Sequence, residues 1–228
     1  MSEITTTRAN PLVDPAVHVW HAEIPIYLFL GGLVAGLMVL AGLRRLRGPR
    51  ASSRTLALLP WAAPLLLTVG MLFLWLDLEN RWNVLRFYLT VRPTSPMSWG
   101  SWILVAVYPV SILVAWLATP ADLRRRLLGR LPAGAARIRW LAMGARRRER
   151  GLAWASIVLG ASLGIYTGVL LGTMAARPLW NSGVLGPLFL VSGLSSAAAF
   201  VLLTRVSDEE RVAIGRLDMG LMLVEALL

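Results

Sequence analysis

The 228 residues include no cysteine and, although the protein is strongly basic, no lysine. Without Cys there is no disulfide, no thiolate ligand for an iron–sulfur cluster and no Cys-based zinc site. Histidine is nearly absent too: His18 and His21 are the only two. A metal held there needs a third or fourth ligand, and only Glu23 is near. A bis-His haem takes axial ligands on opposite porphyrin faces, which two His at one end of one helix cannot supply. Charged residues make up only 15% of the sequence. No nucleophile triad, phosphate-cradling loop or dinucleotide fingerprint is found, so nothing here makes or breaks covalent bonds unaided.

What is present is apolar. The sequence is 57% hydrophobic and its mean hydropathy is positive, which reads as an all-α, polytopic transmembrane helix bundle rather than a soluble domain. Six apolar segments stand out, near 22–43, 56–76, 99–118, 152–175, 184–204 and 212–228, each long enough for a membrane helix. The polar N-terminal tail lacks an apolar h-region followed by a cleavage site, so the first span is expected to stay in the mature protein. The sixth segment stops in mid-run at Leu228, which predicts a truncated chain.

The net charge of +11 comes from 23 arginines against 12 acids. Most lie in two short connections: Arg44, Arg45, Arg47, Arg50 and Arg54 in the first, and ten arginines between Arg124 and Arg150 in the third. Charge concentrated between apolar runs sets topology and argues against nucleic acid as a partner. By the positive-inside rule those connections are cytoplasmic and the N-terminus faces out. Residues 1–228 then form one integral-membrane domain in a bacterial inner membrane, with 1–20 an extracytoplasmic tail and 119–151 an Arg-rich cytoplasmic connection that contacts anionic lipid.

Small residues mark packing faces. Gly31, Gly32, Ala35 and Gly36 line the first span, and Gly160, Gly164, Gly168 and Gly172 recur every four residues in the fourth. Both stripes predict close backbone approach to a neighbour, with the fourth helix a candidate partner of the first.

Polar groups fall at a few places. His18, Trp20, His21 and Glu23 stand at the mouth of the first span, where an imidazole suits hydrogen bonding or proton exchange at a ligand, or simply faces headgroups. Asp77, Glu79 and Arg81 close the second span, as a solvated helix end or a proton-exchanging one. Asp218 and Glu225 are two helical turns apart in an apolar run and share a face. They read either as proton-transfer groups or as partners of an arginine such as Arg216.

Several stretches resemble the NrfD/polysulfide reductase membrane-subunit family: Pro25-Ile-Tyr-Leu-Phe-Leu-Gly-Gly32, Pro93-Thr-Ser-Pro-Met-Ser-Trp-Gly-Ser-Trp102, Tyr166-Thr-Gly-Val-Leu-Leu171, Arg177-Pro-Leu-Trp-Asn181 and Leu190-Val-Ser-Gly-Leu-Ser195. They run in the family's order across about five helices. The resemblance implies a quinone-reactive anchor (menaquinone or ubiquinone) with no haem and no metal of its own, in a fold of typically eight helices. It implies docking to a four-cluster iron–sulfur subunit on the outer face, with a molybdopterin catalytic subunit beyond. By position, His21 and Tyr166, with His18 or Glu23, would contact the quinone, and Glu23, Asp77, Asp218 and Glu225 would carry protons. The outer corners with Pro93, Ser95, Pro96, Trp99, Arg177, Trp180 and Asn181 would receive the cluster subunit. The alternative is a proton-conducting or purely anchoring subunit without a working quinone site.

Overall fold

The computed structural model describes residues 22–48, 54–78, 88–89, 92–129, 144, 147–173 and 182–228. His18, His21, Glu79, Arg81, Arg177, Trp180 and Asn181 lie outside the described residues. The helices are α1 (Glu23–Leu46), α2 (Arg54–Leu58), α3 (Ala62–Asp77), α4 (Pro96–Ala118), α5 (Ala121–Gly129), α6 (Glu149–Gly172), α7 (Leu185–Leu202) and α8 (Asp208–Leu227). A 3-10 turn, Leu59–Trp61, joins α2 to α3, with Pro60 and Pro64 both buried there. No strand occurs among the described residues.

Five stretches are long and apolar enough to cross a membrane: α1, Arg54–Asp77, α4, α6 and α7. They match the first five expected spans to within a few residues. The sixth is a helix, but it starts at Asp208, four residues early, and is not among those apolar enough to cross. Its start is set by a reciprocal capping box, in which Ser207 accepts from the Glu210 amide and Glu210 accepts from the Ser207 amide. The charges at Arg211, Arg216, Asp218 and Glu225 then dilute the apolar run.

α1 is the centre of the bundle: the stretch from Gly31 to Val39 is buried on every side. Lipid is as apolar as leucine, so helices in it associate through close packing and hydrogen bonds rather than through water exclusion. The small residues of α1 serve that need in two directions. A methyl group on Gly36 would overlap the Gly193 carbonyl of α7 and lie 2.7 Å from the Ala197 methyl. On the α6 side, a methyl on Gly42 would stand 2.6 Å from the Ala153 carbonyl, and one on Gly160 would stand 2.7 Å from the Ala35 carbonyl. Between them the buried Ser156 hydroxyl donates to the Met38 carbonyl at 2.7 Å.

The glycine stripe of α6 therefore does not face one neighbour. Gly160 meets α1, whereas Gly164 packs on Leu190 and Gly168 on Leu185 and Gly186 of α7. Four residues turn a helix slightly more than once, so a four-residue repeat drifts around the axis as it climbs. Gly31, expected at a packed face, has nothing within 4 Å of where a side chain would begin.

At the opposite end from Glu23, arginines bind helix termini. Arg45 Nη2 donates to the Leu117 carbonyl at 3.0 Å and its Nε lies 2.8 Å from Glu149. Arg44 donates to the Leu56 carbonyl at 2.7 Å. Leu117 lies in the last turn of α4, where a cation answers both a missing intrahelical hydrogen bond and the helix dipole. Trp61 Nε1 adds a 2.9 Å bond to Thr119. This collar locks one end of the bundle.

Candidate functional site

At the other end of the bundle α1 begins with Glu23, an acid in the first turn where the helix dipole favours negative charge. One carboxylate oxygen of Glu23, Oε2, is buried with no hydrogen-bond partner among the described residues. A buried unpaired acceptor is costly and marks a place where a proton or donor belongs.

One turn further is Tyr27. α3 supplies Gly70 beneath it, where an added methyl would stand 3.7 Å from the Tyr27 ring and 3.4 Å from Leu30. α1 and α6 run antiparallel in a steady register: Gly42 meets Ala153, Met38 meets Ser156 and Ala35 meets Gly160. Continued upward, that register brings Tyr27 to the level of Gly168 and Glu23 to the level of Gly172. Tyr166 is two residues before Gly168 on α6, and it lies within electrostatic reach of Tyr27.

Tyr166 itself is 8% exposed. α4 faces it with Gly100, whose missing side chain leaves the space that the phenol occupies. Tyr27 is also within electrostatic reach of Tyr88, and Tyr88 of Tyr108. The Tyr108 hydroxyl is 3.3 Å from Thr68 Oγ1 on α3. Each of the protein's four tyrosines is thus within electrostatic reach of at least one other. Burial, and then the neighbouring Tyr108, hold the Tyr88 hydroxyl above the ordinary tyrosine range.

From Arg92 onward, the segment before α4 is braced at several points. Ser95 has the extended backbone favoured before proline, and Pro96 takes the first helical turn. Ser98 is buried and accepts from the Arg92 amide at 3.1 Å, while the exposed Trp99 indole donates to the Pro93 carbonyl at 2.6 Å. The segment is two-faced: Ser98, Gly100 and Ser101 turn inward, and Pro93, Met97, Trp99 and Trp102 turn outward.

Asp77 ends α3 half-buried at the same end of the bundle as Glu23. Asp218 and Glu225 stand apart from this cluster. The Ser195 hydroxyl of α7 donates to Asp218 Oδ1 at 2.7 Å. Among the described residues no ion pair joins Asp218 to Arg216, which is exposed. Glu225 follows on the same half-buried stripe as Glu210, Ile214, Asp218 and Leu221.

Of the site residues expected from sequence, the structure therefore brings Glu23 and Tyr166 to one end of the bundle and leaves Asp218 and Glu225 on a separate helix. Tyr27, Gly100 and Ser195 do not stand out in the sequence as site residues, although each lies inside one of the family-like motifs. Tyr27 was detectable as the residue one turn after Glu23. The cluster offers phenolic donors and a carboxylate in a largely apolar wall, without a paired nucleophile and base. It suits binding of an oxygen-bearing ring and exchange of its protons. Among the described residues no three His, Cys, Asp or Glu gather as a metal site.

Comparison with known proteins bears on this geometry. The family described as "Polysulphide reductase, NrfD" matches residues 10–228. Protein NrfD of Escherichia coli is 36% identical over 197 residues, which is 81% of this chain and 59% of that protein. A polysulfide reductase polypeptide of Wolinella succinogenes is 34% identical over 197 residues, 81% of this chain and 57% of that one. A selenate reductase polypeptide of Mesobacillus selenatarsenatis is 25% identical over 202 residues, 80% of this chain and 47% of that one. The protein thus spans about half to three-fifths of the length of the curated relatives it matches.

Proposed function

The chain belongs to the NrfD polysulphide reductase family, and on that premise we propose that this multi-pass membrane protein is the quinone-reactive subunit of a redox enzyme complex. The observation that carries the reading is the placement of Glu23, Tyr27 and the buried Tyr166 at one end of the bundle, with Tyr27 within electrostatic reach of Tyr166. Tyr166 donates a hydrogen bond to one quinone oxygen, and His21, or His18 beside it, serves the other. Oxidation of a quinol releases two electrons and two protons; the unpaired carboxylate oxygen of Glu23 accepts a proton, with Asp77 at the same end as the next acceptor.

The arginine distribution supports an orientation in the bacterial inner membrane with Glu23 and Tyr166 toward the outside and the Arg45 collar toward the cytoplasm. Electrons then pass between menaquinone or ubiquinone and an outer iron–sulfur subunit, with a molybdopterin subunit beyond it. The outward face of Pro93, Ser95, Pro96 and Trp99 and the corner at Arg177, Trp180 and Asn181 receive that subunit. Relatives that are named as single components of polysulfide and selenate reductases favour an assembly of this kind.

A second reading rests on the Ser195–Asp218 bond. A carboxylate within a lipid-embedded bundle is a default proton carrier, and with Glu225 it would make this a proton-conducting subunit without its own quinone site. One experiment separates the two. The complex is purified with His21 and Tyr166 both changed to leucine, and quinol oxidation and bound iron are measured. The quinone reading expects retained cluster iron with quinol oxidation abolished; full quinol oxidation sinks it.

A further inference from the structure

Gly100 and Tyr166 compete for one space. A methyl group on Gly100 would overlap the ring carbon that carries the Tyr166 hydroxyl, the hydroxyl itself and the neighbouring Cε1. Contact is therefore with the working end of the phenol rather than with its base. Most α-helical glycines that admit a neighbour do so for backbone; this one admits a functional group.

Neither partner is free to step aside. The first turn of α4 is tied to the preceding loop by the Arg92 amide on Ser98, by the Trp99 indole on the Pro93 carbonyl and by Pro96 in the first helical turn. Ser101 closes the turn from inside, donating to the Ser98 carbonyl at 2.8 Å. On the other side, Thr167 donates to the Leu163 carbonyl at 2.9 Å, and Gly168 sits against the Leu185 carbonyl and the backbone of Gly186. α6 is thereby pressed backbone to backbone on α7 two residues from Tyr166. Where both backbones are fixed, the volume of residue 100 decides where the hydroxyl sits.

We propose that Gly100 is a positioning residue for the Tyr166 hydroxyl, and that the braced segment from Arg92 to Ser101 exists to hold that glycine-sized space in place. The inference rests on the reading of Tyr166 as a quinone ligand. It gives the motif two faces with two duties: Trp99 and Pro93 point outward, and Gly100, braced through Ser98, sets the phenol within. A partner seated on the outward face then touches the same rigid turn that aims the hydroxyl.

The test uses the purified complex with its iron–sulfur partner and four variants: G100A, Y166F, G100A/Y166F and G100A/Y166A. G100A is expected to retain partner and cluster iron while quinol oxidation, as kcat/KM, falls by about tenfold through a misplaced transition-state contact. Adding G100A to Y166F is expected to change kcat/KM by less than about twofold, because the hydroxyl it would misplace is already gone. A wild-type rate in G100A, or the full loss repeated on top of Y166F, overturns the proposal. If G100A fails to assemble, G100A/Y166A, which vacates the contested space, must assemble; its failure overturns the proposal as well. A wild-type rate in Y166F instead rejects the quinone reading, which keeps the two failures apart.

Discussion

Ser195 on α7 donates a 2.7 Å hydrogen bond to Asp218 on α8. The bond gives one carboxylate oxygen of Asp218 a hydrogen-bond partner on the neighbouring helix. Asp218→Asn keeps an acceptor for Ser195 and removes the exchangeable charge. In proteoliposomes with an entrapped pH dye, a proton-carrying Asp218 predicts that the variant stays assembled while turnover-linked proton uptake falls several-fold. Unchanged uptake assigns the pair to packing alone.

The two glycines Gly31 and Gly36 make a paired test of the bundle. Gly36→Ala forces a methyl into the Gly193 carbonyl, where only backbone can yield, and is expected to cost about 1–3 kcal/mol. Gly31→Ala meets nothing within 4 Å and should be neutral or gain up to about 1 kcal/mol of helix propensity. Thermal unfolding of both variants in one detergent checks the difference in sign.

The sequence made the five spans legible because length and apolarity are the two properties a bilayer selects. α8 was less so, since a capping box at Ser207 and an apolar run from Val212 begin in different places and the cap sets the start. The glycines were visible as small faces, and the fourth span as a partner of the first, but a four-residue spacing on α6 hides a drift that takes Gly160 to α1 and Gly168 to α7. At the site, Tyr166 and Glu23 could be named from family resemblance and position. Gly100 could not, because its meaning lies in a phenol 66 positions away, and a glycine without its neighbour is only a glycine. The histidines expected beside Glu23 lie outside the described residues.

Ser156→Ala removes the buried bond to the Met38 carbonyl at the α1–α6 contact. Interhelical hydrogen bonds of this kind in membranes average about 0.6 kcal/mol and reach about 1.7. The burial of Ser156 puts the expected loss toward the upper half of that range. A loss near zero by reversible unfolding means that the carbonyl finds another donor.

Tyr27→Phe keeps the ring against Gly70 and deletes only the hydroxyl. If Tyr27 shares the site with Tyr166, the variant should assemble at wild-type stability, yet lose about tenfold in quinol oxidation, the worth of one hydrogen bond near 1.4 kcal/mol. Equal loss with Tyr27→Leu, together with lost stability, would instead describe a packing residue.

The central claim is that the Tyr166 hydroxyl binds quinone. Its most direct measurement is kcat/KM for quinol oxidation by complexes containing Tyr or Phe at position 166, each checked for the same bound cluster iron. The account predicts a fall of about tenfold or more with iron unchanged. Equal kcat/KM in the two complexes would contradict it.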